Sequence, residues 1–278
     1  MIYLAYDGSL NGDWVSRYGI RLATHTAEKK LTLVHIQDNS VSPVQVVEKI
    51  TKIEQECSAQ SIELCRKILP LKKNVCRSLL DAIPYGSESF VVCGTRIRSK
   101  RQAFLSGTIS EKLLESDKFN VLAVRVVQPG LLANPRRFLI PLAGHPRGFK
   151  SAWPFFKLFL PEVEELYLLR VMNVSSFQLL HFSLHRMQEL RKKGLKYLAA
   201  VIQDIKQGCG ADIFRLDYRV VVSSDWSREI LVHGCKLKTR MILLGASERT
   251  RLNRAVYADS LERVLRGTPC DMGIYRGI

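Results

Sequence analysis

Short, dense apolar runs alternate with longer stretches of helical periodicity along this chain. The first run, Ile2, Tyr3, Leu4, Ala5 and Tyr6, stops at Asp7-Gly8-Ser9, polar and flexible residues suited to leaving a strand. Residues 14–26 then place Trp14, Tyr18 and Leu22 at helical spacing, and residues 31–36 form a second run. Strand, helix and strand in such quick succession predict the βαβ unit of a parallel sheet. Residues 43–69 read as one long amphipathic helix with Val46, Ile50, Ile53, Cys57 and Ile62 facing inward. A short third strand is expected around Val75, and residues 79–83 are too short for a helix before Pro84 and Gly86. Residues 90–93 give the next strand, residues 110–115 open a helix, and residues 121–127 close the set.

Pro129-Gly130 and Asn134-Pro135 punctuate the middle and mark a linker, after which the pattern restarts. Strands are predicted over 138–142, 166–171, 217–222 and 241–244. Helices are predicted over 153–160, 178–206 and 227–236. His35-Ile36 and Arg170-Val171 occupy matching positions in the two halves, and Asp7 corresponds to Ala143. The expected organisation is two domains, residues 1–128 and 136–278.

The restart includes a repeated passage. Gly94 to Arg125 and Gly245 to Arg276 each span 31 positions and carry the same order of strand end, loop, helix and strand. Thr108 with Glu111, and Asp259 with Glu262, have the spacing of a helix capping box. In the first copy, Gly107-Thr108 at a helix start leaves N–H groups that favour an anion. In the second, Asp259 as cap would place a negative charge there, and Ala258 would add bulk. The first copy is therefore expected to accept a phosphate and the second to exclude it.

Composition narrows the class of protein. The chain has 278 residues, 46% of them hydrophobic, with a mean hydropathy of −0.02. No run approaches the ~18–20 apolar residues of a membrane span, and the N-terminus lacks the basic start and cleavage site of a signal peptide. The expected location is the cytoplasm, with no membrane partner. Seven cysteines form no C-x-x-C pair, so reduced and mostly buried thiols are expected. His181 and His185 stand four apart on the long predicted helix, but Phe182 occupies the place of a zincin glutamate, and no metal site is expected. The net charge of +16 divides unevenly: residues 1–135 hold 18 Lys/Arg and 13 Asp/Glu, residues 136–278 hold 24 and 13. The basic second half would attract nucleic acid, an acidic membrane surface or an acidic protein. No zinc-finger spacing or aromatic RNA-binding motif accompanies it, so nucleic acid is not expected.

Taken together, these residues resemble the universal stress proteins in a tandem, two-domain form. The resemblance rests on the opening strand ending in Asp7-Gly8-Ser9 and on the late G-x2-G-x9-G-[ST] pattern of Gly94 and Gly107-Thr108. Ser110-Glu111-Lys112-Leu113 then matches the family's S-E-x-[LV] helix. It is strong over residues 1–36 and 90–127, fair over 217–276, and weak in the helices between. It implies an α/β fold of two open, parallel five-stranded sheets with helices on both faces and, in one branch, ATP at the carboxyl ends of the strands.

Carried over, Asp7 would lie near the ribose and phosphates, and the backbone of Ile36 at the adenine edge. Gly94 would line the nucleotide, while Gly107, Thr108 and the N–H of Ile109 would cradle phosphate. Arg96, Arg98, Lys100 and Arg101 would add phosphate contacts or form a solvated loop. The family's second glycine is Ile97 here, which costs roughly 1–2 kcal/mol if the bound loop needs a left-handed backbone. In the second half Glu248, Ala258 and Asp259 replace the corresponding residues, which implies that no nucleotide binds there.

The resemblance thus implies a stress-response sensor or regulator that binds ATP or another adenine nucleotide, with or without Mg²⁺, in its first domain. The two domains would act as a pseudo-dimer through pairing of their closing strands, which leaves a homodimer open. With no Walker motif, no nucleophile elbow and no general base in view, activity is at most slow ATP hydrolysis. The alternative is an adaptor that binds no nucleotide and engages a protein or another anionic partner through its basic second domain.

Overall fold

The computed structural model describes residues 1–95, 107–131, 135–142, 148–209, 214–246 and 254–278. These divide into two compact units. Unit 1 comprises residues 1–133, 154–161 and 273–278, and unit 2 comprises residues 134–153 and 162–272.

In unit 1, strands β1 (Ile2–Tyr6), β2 (Lys30–Gln37), β3 (Glu63–Pro70), β4 (Gly86–Gly94) and β5 (Phe119–Arg125) run in the order β3-β2-β1-β4-β5. Every pair is parallel, with Tyr6 opposite His35 and Gly94 opposite Val124. The helices are α1 (Leu10–Thr24), α2 (Pro43–Ala59), α3 (Val75–Ala82) and α4 (Ile109–Leu114). Helix α1 touches α2, and α3 touches α4, the grouping that right-handed crossovers on two faces of such a sheet produce. Burial on both faces explains the unbroken apolar runs: Leu4, Leu31, Leu33, Val91, Val92 and Leu122 are all at most 1% exposed.

Two expectations for this unit are corrected. The long helix predicted over 43–69 is a helix and a strand, α2 ending at Ala59 and β3 beginning at Glu63. Ser61 adopts φ +57, and the Ile62 N–H returns to the Cys57 carbonyl at 2.9 Å, a Schellman-like closure made without glycine. Among the described residues β3 pairs with β2 alone. Its Glu63, Arg66 and Lys67 read as a solvated helix face. Val75 likewise opens helix α3 rather than a strand, with the Asn74 side chain accepting from Arg77 N at 2.9 Å.

The later segments of unit 1 complete its core. Phe155, 1% exposed, meets Phe90 edge-on at 5.5 Å and Tyr275 at 5.5 Å between ring centroids. His25 Nδ1 donates to the Leu158 carbonyl at 2.8 Å, and Ile278 N donates to Asn120 Oδ1 at 3.3 Å. The last strand, β10 (Asp271–Arg276), lies beside β5.

In unit 2, β6 (Arg137–Leu142), β7 (Glu165–Asn173), β8 (Arg215–Ser223) and β9 (Met241–Gly245) form the parallel order β9-β6-β7-β8. Helix α5 (Gly148–Phe159) contains Pro154, where the chain changes unit. The predicted helix over 178–206 is broken into α6 (Ser176–His181) and α7 (Leu184–Cys209). Phe182 is extended at ψ 130, and Ser183 Oγ accepts from Arg186 N at 3.2 Å to start the second helix. Helix α8 (Trp226–Lys236) follows the expected bounds, but α9 (Arg254–Gly267) starts earlier than the repeat implied.

Helix α7 approaches its sheet through Gly194. A Cβ there would stand 2.5 Å from Val220 Cγ1 and 3.4 Å from Met172 Sδ. Gly194→Ala should therefore destabilise the protein by about 1–2 kcal/mol, since overpacking typically costs 1–3 kcal/mol. Helix propensity alone would give a gain of up to about 1 kcal/mol. Urea unfolding of the variant decides which effect wins, and a raised midpoint would mean that the sheet yields.

Candidate functional site

The order β3-β2-β1-β4-β5 reverses direction between β1 and β4, and a crevice at the carboxyl ends of strands opens at such a point. Asp7 follows β1 and is exposed. Its Oδ1 accepts from Ser9 N at 3.0 Å and Ser9 Oγ at 2.7 Å, and Ser9 Oγ in turn accepts from Gly12 N at 3.0 Å to cap α1. Gly12 is a requirement of this arrangement, because a Cβ there would lie 2.5 Å from Asp7 Oδ1. Gly94 ends β4 against the same turn of α1, where its Cβ would lie 2.6 Å from Asn11 Nδ2. That amide donates to the Thr95 carbonyl at 3.1 Å, and Asn11 Oδ1 is buried with no hydrogen-bond partner among the described residues. Asp7 and Gly94 are thus brought together on the first turn of α1.

Sequence reasoning missed the residues that stabilise this corner. Lys49 of α2 donates to the Gly8 carbonyl at 2.8 Å and to Asp13 Oδ2 at 2.7 Å, while the Tyr6 hydroxyl donates to Asp13 Oδ1 at 2.5 Å. Burial, then the Asp13 hydrogen bond and charge, push the Tyr6 hydroxyl well above its ordinary range. It stays protonated as a donor. Gly8 itself sits at φ +75, a backbone that only glycine adopts without strain. No linear spacing joins Lys49 to Asp13; the α1–α2 packing does.

Ile36, 4% exposed, lies in β2 opposite Leu69. Its neighbours His35 and Gln37, with Asn39, supply the polar part of a cleft of about 420 Å³. Val41, Val46, Val47, Ile68 and Leu71 supply the apolar part. His35 Nδ1 donates to the Tyr6 carbonyl at 2.9 Å, which fixes the ring at the base of this corner. Around the cleft, Val47 is 50%, Ile68 38% and Leu71 43% exposed, so apolar surface faces solvent there.

Gly107, Thr108 and Ile109 stand at the start of α4, which packs on α3 and β5. Gly107 has φ +73, and among the described residues nothing lies within 4 Å of a Cβ there. Its N–H donates to Glu111 Oε2 at 2.6 Å, and Glu111 N donates to Thr108 Oγ1 at 3.2 Å. Glu111 therefore holds the N–H group that a phosphate would use, and an anion there would have to displace its carboxylate. Arg96, Ile97, Arg98, Lys100 and Arg101 lie outside the described residues, as do Ala143 and Glu248.

The second copy differs from expectation. Asp259 is an exposed residue within α9, not its cap, because the helix already begins at Arg254. The carboxylate that was to repel phosphate is thus not at the helix start. At the carboxyl ends of unit 2, Arg170 takes the place of His35: it is opposite Leu142 as His35 is opposite Tyr6, and its Nη1 donates to the Leu142 carbonyl at 2.9 Å. The guanidinium lies 5.4 Å from the Tyr197 ring, and burial pushes its pKa down.

Other chemistry is sparse among the described residues. All seven cysteines are free; Cys57, Cys76, Cys93 and Cys270 are buried, and burial pushes the Cys93 thiol up to about 12. His181 and His185 do not share one helix face, since the first ends α6 and the second lies in α7. No group of three or more His, Cys, Asp or Glu side chains converges as metal ligands would, and no helix is long and apolar enough to cross a membrane.

No family model matches the sequence, and comparison with curated proteins found no match either. Solved structures do match over nearly the whole length. A universal stress protein from Archaeoglobus fulgidus is 16% identical with a TM-score of 0.62, covering 99% of this chain and 96% of that one. A candidate universal stress protein from Pseudomonas aeruginosa is 12% identical with a TM-score of 0.60, covering 98% and 91%. The cytoplasmic domain of a prokaryotic cation chloride cotransporter is 9% identical with a TM-score of 0.57, covering 99% and 94%. At these identities the likeness is one of fold.

Proposed function

We propose that this chain, which has the fold of the universal stress proteins along nearly its whole length, binds an adenine nucleotide in its first half and serves as a stress-response regulator. The second half is its partner without a nucleotide site. The observation that supports this is the cleft beside Ile36, a slot of about 420 Å³ with aliphatic walls and the side chains of His35, Gln37 and Asn39. Aliphatic walls suit the faces of a planar base. The Gln37 and Asn39 amides can both donate to and accept from its edge, and a neutral His35, whose Nδ1 is committed to the Tyr6 carbonyl, can accept through Nε2. From there the ribose and phosphates would run past Asp7 and the Gly8 backbone towards Gly107 and Thr108. Lys49 contributes positive charge near that path, and Asp7 would meet a Mg²⁺ accompanying ATP.

Two measurements test this reading. Purified protein is denatured and the supernatant examined by mass spectrometry for adenine nucleotide, and thermal unfolding is followed with and without millimolar Mg-ATP. A ligand at about 100 times its Kd stabilises by about 2.7 kcal/mol, enough for a clear shift. Val47→Trp should fill the cleft mouth from an exposed position, weaken binding at least tenfold and leave the unliganded midpoint unchanged. No co-purified nucleotide and no shift for the wild type would reject the function; normal binding by the Trp variant would move the base elsewhere.

A further inference from the structure

Among the described residues, helix α6 covers little. None of its six residues is fully buried; of its three large apolar side chains Leu179 is partly covered, while Phe177 and Leu180 are 72% and 82% exposed. Leu184, the first residue of α7, is 84% exposed. Yet α6 is well built, with a complete capping box between Ser175 and Gln178 and with Phe177 against the His181 ring at 4.3 Å. A capped helix that keeps two of its three large apolar side chains in water gains little burial free energy within this chain. That gain must come from something the helix meets.

The charge around it selects the partner. Residues 176–209 hold six Lys/Arg and two Asp/Glu, and one of those acids, Glu189, is engaged by Arg186 at 2.8 Å. On α7, Leu184, Arg191 and Leu195 follow at i, i+7 and i+11 on one face, with Lys192 beside them. Leu195 is 45% exposed, and the adjoining face, Gly194, Leu198, Val201 and Ile205, is buried in unit 2, so these residues stand at the rim of the buried stripe. A second copy of this chain would bring like charges together, so self-association is disfavoured. An acidic protein would have to enclose the helix in a groove, but α7 is fixed on its sheet and α6 has fewer than two turns free. A lipid surface needs neither a groove nor shape complementarity.

We infer that α6 and the start of α7 form a peripheral contact with anionic membrane surfaces, in which Phe177, Leu180 and Leu184 enter the headgroup layer while Arg191 and Lys192 meet acidic headgroups. The helices lie on the bilayer rather than across it, since no described helix can span it. Basic residues and projecting apolar side chains act together: the charges bring the surface to the membrane, and the apolar groups hold it there. The sequence led to no membrane partner because no apolar run is long enough to span a bilayer; the break at Phe182-Ser183 that sets α6 apart is seen only in the fold.

Sedimentation with vesicles tests this. The full chain should sediment with vesicles containing phosphatidylserine at low salt, not with pure phosphatidylcholine, and should be released at high salt. Phe177→Ser/Leu180→Ser/Leu184→Ser, all at exposed positions, should lower the apparent affinity at least tenfold while the unfolding midpoint stays unchanged. Lys192→Glu should weaken binding in the same direction. In Phe177→Trp, the indole emission should move to the blue on adding acidic vesicles. Failure of the wild type to sediment, an unaltered affinity in the triple serine variant, or a dimer in solution that the triple variant abolishes would each overturn the proposal.

Discussion

Phe155→Ala is expected to destabilise the protein by about 3–5 kcal/mol, the range for emptying a buried aromatic position. Phe155 is 1% exposed and touches two other aromatics, Phe90 from β4 and Tyr275 from β10. Its ring belongs to unit 1 although the residue lies beyond the midpoint linker. Loss of the ring leaves a cavity lined by rigid strand residues, which cannot collapse as a surface helix can. The measurement is urea unfolding, with a control at Leu158, whose link to His25 uses only its backbone carbonyl. A loss below about 1 kcal/mol would mean that the segment from 154 to 161 is not part of this core. The same packing predicts that residues 1–133 alone behave poorly. That fragment lacks Phe155 and Tyr275 and uncovers the edge of β5, an invitation to aggregate. A soluble fragment with the midpoint of the full chain would contradict this view of unit 1.

Gly107→Asp should abolish the nucleotide-dependent thermal shift. The residue sits at φ +73 with no described residue within 4 Å of a Cβ, and its N–H is held by the Glu111 carboxylate. A second carboxylate beside Glu111 repels a phosphate. The left-handed backbone is a separate matter and is controlled by Gly107→Asn, which is similar in size, uncharged and among the residues that tolerate this conformation. The expected order is wild type, then Asn with a modest loss, then Asp with more than about a tenfold loss, equivalent to 1.4 kcal/mol. Asp259→Ala should leave binding unchanged, since Asp259 is exposed in the body of α9. Equal loss in Asn and Asp would assign the effect to backbone strain. Loss in the Asp259 variant would place the nucleotide in the other half.

Much of the scaffold was readable along the chain. A strand buried on both faces must be apolar throughout, so β1, β2, β4, β6 and β9 appear as unbroken runs, and the turn residues between them mark their ends. The repeat from Gly94 to Arg125 was legible for the same reason. The edge strand β3 was not, since it alternates charged and apolar residues just as a surface helix does, although β8, also at an edge, was predicted over 217–222. Breaks made by serine rather than glycine or proline, at Ser61 and Ser183, carried no strong signal either. Both are decided by a side chain or backbone angle that only the folded neighbourhood selects.

The candidate site divides along the same line. By itself the sequence determined where the chain turns at Asp7-Gly8-Ser9, that a helix starts at Gly107-Thr108, and that the halves repeat. These are local demands, set by sterics and caps within a few residues. Tertiary structure alone decided that Asn11 lies across Gly94, that Lys49 neutralises Asp13 beneath Gly8, and that a cleft opens beside Ile36. It also decided that Glu111 already holds the Gly107 N–H and that α6 leaves Phe177 and Leu180 exposed. Each joins or leaves apart groups whose distance depends on how helices pack on the sheet, and burial makes the free energy of those contacts large enough to matter.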